Sequence, residues 1–115
     1  MTNIEVISNP VPLTRLTELA DKSFGDMVKC VVDLEKGTIA AGAELHADEE
    51  ALLLDQGSRQ ENLWGFNIYV HEPRESWLEY NSMVNIKPSQ NNFSRDLQSE
   101  EIKNKIAAVV GKLVQ

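Results

Sequence analysis

The segment Glu44-Leu45-His46-Ala47-Asp48 brings an imidazole and two carboxylates within five residues. A histidine oriented by a carboxylate can act as a general acid or base, and the same set can contribute to a hard-metal site. His46, Glu44 and Asp48 are therefore the catalytic candidates. Each also has a structural reading. Asp48 suits a helix cap or a first-turn partner of the helix dipole, and Glu44 shares a face with His46 only if a strand continues that far. A second group of candidates lies in two polar stretches, 57–62 and 87–98, and beside them. Arg59, Gln60, Asn62, Asn85, Lys87, Ser89, Gln90 and Arg95 offer guanidinium, ammonium, amide and hydroxyl donors that suit a phosphate or carboxylate. Such residues also serve ordinary turns, so solvated loops are the competing explanation.

Other chemistry is excluded more readily. His71-Glu72 begins like a zincin motif, but no second histidine follows at the required spacing and Pro73 prohibits the helix. Cys30, the single cysteine, sits among apolar strand residues and reads as a buried, inert thiol; it permits no internal disulfide and no multi-thiolate zinc site. Asn92-Phe93-Ser94 matches a glycosylation sequon, to which an intracellular reading gives no weight. No phosphate-binding glycine loop, dinucleotide fingerprint or serine elbow is present.

The elements that must position these groups follow from size, charge and periodicity. With 115 residues, 42% hydrophobic, the chain reads as a single domain, 1–115, large enough to form a core without a staple. Eighteen acidic against 11 basic residues give a charge of −7, which disfavours nucleic acid and anionic membranes as partners. The start Met1-Thr2-Asn3-Ile4-Glu5 lacks the pattern of a signal peptide, and the expectation is a cytoplasmic protein.

Ile4 to Ile7 predicts a short strand, and Pro10 and Pro12 introduce a helix carrying Leu13, Leu16, Leu19, Ala20 and Phe24, stopped by Gly25. Val28 to Leu34 alternates, and Lys36-Gly37 predicts a two-residue turn that sets Val28 against Leu45, Cys30 against Ala43, Val32 against Ala41, and Lys29 against Glu44. His46 to Leu54 reads as a short helix ended by Gly57, with a strand as the competing reading of its leucines. Leu63 to His71 and Trp77 to Pro88 alternate and predict a second hairpin, with Trp64 in the core and Trp77 on the polar side as an anchor. Ser99 caps a final helix striped by Ile102, Ile106, Val109, Val110 and Leu113.

These elements assemble most economically as an α+β, two-layer fold: an antiparallel sheet of about four to five strands with the N- and C-terminal helices on one face. The other face then carries Lys29, Asp33, Glu44, Asn67, Tyr69, Glu79, Asn81, Asn85 and Lys87. The words ELHAD (44–48), QENLWG (60–65) and NIKPSQ (85–90) together resemble a small family of uncharacterised bacterial proteins filed as a domain of unknown function. The resemblance covers most of the chain and implies no activity. Where that family usually has arginine before the proline, this chain has Lys87, which weakens a bidentate anion clamp there.

Three functions remain open. The first is a binding or interaction module whose polar loops and sheet face hold a small anionic ligand or a protein subunit, including a second copy of the chain. The second is a small hydrolase or lyase with His46 as acid/base. The third is an acidic regulator that sequesters a basic protein.

Overall fold

The computed structural model describes residues 4–115, so residues 1–3, on which the reading of the chain's start partly rests, lie outside the described residues. In chain order the elements are β1 (Glu5–Ile7), α1 (Leu13–Asp21), β2 (Met27–Asp33), β3 (Thr38–Ala41), α2 (His46–Asp55), β4 (Leu63–Tyr69), β5 (Leu78–Glu79) and α3 (Glu100–Leu113), with single turns of 3₁₀ helix between some of them. The five strands pair antiparallel in the order β1-β3-β2-β4-β5. The fold is α+β, with an open antiparallel sheet.

One face follows directly from the alternation. Cys30 and Val32 of β2, Ile39 and Ala41 of β3, and Trp64, Phe66 and Ile68 of β4 point the same way and are buried under both terminal helices. Leu16, Leu19 and Ala20 of α1 and Ile106, Val110 and Leu113 of α3 supply the covering layer. At the end of α1, Gly25 adopts φ +88° and returns its N–H to the Ala20 carbonyl at 2.7 Å, a conformation that glycine reaches without steric cost. Phe24, expected in the stripe, lies past the helix and is exposed. The start of α3 is capped as its sequence implies, the Ser99 Oγ accepting the Ile102 N–H at 3.2 Å.

The second face is not the bare polar surface that the alternation alone implies. Val31, Ala40 and Leu63 form a smaller apolar cluster with Leu53 of α2. The leucines of α2 need an apolar surface, and the middle of the sheet provides it. Asp33, Asn67, Asn85 and Lys87 are buried, Lys29, Tyr69 and Asn81 are half-buried, and Glu44 and Glu79 are exposed.

The first hairpin forms in a different register. Cys30 faces Ala41, Val32 faces Ile39, and Asp33 faces Thr38. The turn is longer than two residues because the Asp33 carboxylate accepts the N–H groups of Glu35 (2.9 Å) and Lys36 (3.0 Å), while Gly37 N–H reaches the Asp33 carbonyl at 2.8 Å. The displacement is even-numbered, so every side chain keeps its face. It removes the expected Lys29–Glu44 pair, and Lys29 faces Asn67 across β2 and β4 instead.

The second hairpin is also shorter than its sequence pattern. Only Glu79 and Leu78 pair with β4, opposite Asn67 and Ile68. Beyond them the chain pairs with its own return: Leu97 N–H donates to the Tyr80 carbonyl at 3.0 Å and Ser82 N–H to the Arg95 carbonyl at 3.1 Å. Trp77 is not a polar-side anchor. It is 4% exposed, joins the main core, and lies 4.3 Å from the Arg74 guanidinium.

Where β5 ends, another group completes β4. The Asn85 Oδ1 accepts the Gly65 N–H at 2.7 Å and its Nδ2 donates to the Gly65 carbonyl at 2.9 Å. A Cβ on residue 65 would lie 2.5 Å from the Ser82 Cβ and Oγ and 2.8 Å from Val84 Cγ2, so only glycine permits this approach.

Candidate functional site

The N-terminus of α2 lands on the second face, against β4. His46, the first helical residue, is 8% exposed and its Nε2 lies 2.9 Å from the Phe66 carbonyl oxygen. A carbonyl only accepts, so Nε2 carries the proton and the neutral ring has Nδ1 as its remaining acceptor. Burial pushes the imidazole below its usual pKa. The bond to Phe66 opposes that shift, as does the neighbouring Asn67 side chain, whereas the charges of Lys29 and Arg95 reinforce it. His46 on α2 thus sits against β4, where Asn67 faces Lys29 of β2, and the charge of Arg95 in the 86–98 connection also acts on the ring.

Asn67 Nδ2 donates to Glu79 Oε1 at 2.8 Å, and the same oxygen accepts the Tyr69 hydroxyl at 3.1 Å. The Asn67 Oδ1 is buried and has no partner among the described residues. Three residues along α2 from His46, Glu49 is 0% exposed; its Oε2 accepts the Ala43 N–H at 3.0 Å and its Oε1 is likewise unpartnered. Burial holds the Glu49 carboxyl well above the usual carboxylate range, against the opposing Ala43 bond and Lys29 charge, with Asp48 adding to the rise.

Of the carboxylates near the start of α2, Glu49 is the buried one. Glu44 and Asp48 are both exposed, and among the described residues neither hydrogen-bonds His46. Nor do the described residues contain a cluster of His, Cys, Asp and Glu arranged to hold a metal. Glu49 had a detectable signal. If Leu53 faces the sheet, helical spacing places Glu49 and His46 on the same stripe.

The two polar stretches converge, and Lys87 and Gln90 hold them together. The Lys87 ammonium donates to the Gln60 carbonyl and lies 5.0 Å from the Trp64 ring centroid. Gln90 Nε2 donates to the Glu61 carbonyl at 3.0 Å, and the Asn62 carbonyl accepts the Leu34 N–H at 3.0 Å. Asn85 is committed to Gly65. Arg59 is exposed and paired with Glu61 at 3.2 Å. Between the stretches remains a cleft of about 330 Å³ lined by Gln60, Glu61, Ile86, Lys87, Pro88, Ser89 and Gln90. Arg95 does not line this cleft; its charge acts on His46.

Residues 5–113 match the model of a family described as "Protein of unknown function (DUF5674)". No curated protein and no solved structure matches the chain. Among the described residues, no helix is long and apolar enough to cross a membrane.

Proposed function

The chain belongs to the DUF5674 family, a family of proteins of unknown function, and from the groups gathered at His46 we propose that it is a binding module for a small anionic ligand. The observation that carries this reading is the seating of His46 against β4 next to Asn67, which faces Lys29 of β2, with the charge of Arg95 acting on the same ring. Lys29 and Arg95 supply positive charge in a molecule of net charge −7, and the unpartnered Asn67 Oδ1 supplies an acceptor for a donor on the ligand. The His46 proton at Nε2 is occupied by Phe66, so the imidazole contacts a ligand through Nδ1.

Titration of the protein with inorganic phosphate and with citrate, followed through the His46 ring resonances, tests the reading. Saturable shifts are expected, and they should weaken at least tenfold in Arg95→Ala and Lys29→Ala with melting unchanged. Shifts that persist in both variants, or none with either anion, overturn it. A second reading, a hydrolase or lyase using His46 as acid/base, is favoured by the fixed tautomer. It requires that His46→Gln abolish turnover of any confirmed substrate.

A further inference from the structure

The cleft between the two polar stretches lies apart from His46 and has a different chemistry. Its one cation, Lys87, is 7% exposed, and the bond to Gln60 uses one of three N–H donors. The carboxylates of Glu50 and Glu61 both act on the Lys87 charge, opposing the loss of protonation that burial imposes. Glu61 lines the cleft, and Glu50 has a buried Oε2 without a partner among the described residues. Gln60, Ser89 and Gln90 add neutral polar groups, and Ile86 and Pro88 an apolar wall.

This combination selects by charge. A simple anion approaching Lys87 meets the fields of Glu50 and Glu61, and a simple cation meets that of Lys87. A molecule that carries both charges a few ångströms apart satisfies each. The volume, about 330 Å³, is at the lower end of ordinary ligand sites and fits a molecule of amino-acid size. We propose that this cleft is a second site, separate from the one at His46, and that it takes a small zwitterion of the amino-acid type. The ligand's carboxylate meets the Lys87 ammonium, and its ammonium meets Glu61.

Amide NMR spectra of the full chain provide the test, with a pool of the twenty common amino acids, then its separate members, and acetate and methylammonium as single-charge controls. The expected result is saturable shifts at Gln60, Glu61, Ser89 and Gln90 with at least one amino acid and with neither control. Lys87→Met, which retains an apolar stem over Trp64, and the exposed Glu61→Gln should each weaken binding at least tenfold. Should Lys87→Met fail to fold, Glu61→Gln alone decides. No shift with any amino acid, equal shifts with acetate, or undiminished binding in Glu61→Gln overturns the proposal. Arg95→Ala should leave these shifts intact, which separates this site from the first.

Discussion

At the scale of single residues, the informative groups are the buried ones that water no longer serves. Glu49 is raised in the fold, so its contribution to stability is fully present below the ordinary carboxylate pKa and is lost as pH rises through the elevated value. His46 is depressed, so its contribution is present above the ordinary imidazole pKa and is lost as pH falls through the lowered value. Glu49→Gln keeps an acceptor for the Ala43 N–H and removes the ionisation. Its melting temperature relative to the native protein should therefore climb as pH rises from the ordinary carboxylate pKa through the elevated value; a pH-independent difference would refute the assignment. His46 was visible in the sequence because histidines are rare here. Glu49 was hidden among four acidic residues in 44–50, and only the inward stripe ending at Leu53 distinguishes it.

At the scale of elements, the terminal helices and the central strands were legible because each has one strong period and, at α3, a cap. What was not legible is where a strand stops. The alternation in Trp77 to Pro88 continues past β5, yet from Tyr80 the backbone pairs with residues 95–97, a tertiary choice that periodicity does not record. The register of the first hairpin depended similarly on side-chain bonds from Asp33 to the turn. The contact of Asn85 with Gly65 is what fastens the long connection to the sheet. Asn85→Ala leaves both Gly65 backbone groups buried and unpaired at about 1–3 kcal/mol each, so a loss of about 2 kcal/mol or more is expected in chemical denaturation. Gly65→Ala should cost about 1–3 kcal/mol by overpacking against Ser82 and Val84. Loss below about 0.5 kcal/mol in both variants would contradict a fastening role.

At the scale of the molecule, β2 and β4 are the best-protected strands. They pair along seven residues, and β2 is covered by helices on both faces. Amide hydrogen exchange should be slowest from Val28 to Val32 and from Phe66 to Ile68 and fastest at the edges, β1 and β5. Equal protection of β5 and β2 would disprove that ordering. The two proposed sites both border β4, so the most stable part of the sheet supports them. Sequence words alone marked these neighbourhoods, but the division of labour between holding and binding depends on strand order. The short β5 has one more consequence. Because Tyr69 N–H points to Trp77, β4 also directs the Gly65 N–H and carbonyl toward the open edge, where only the Asn85 amide meets them. Asn85 thus acts as a stopper on the stretch of β4 that β5 leaves uncovered: without it, the Gly65 N–H and carbonyl become unpaired strand-edge groups of the kind on which another chain can add.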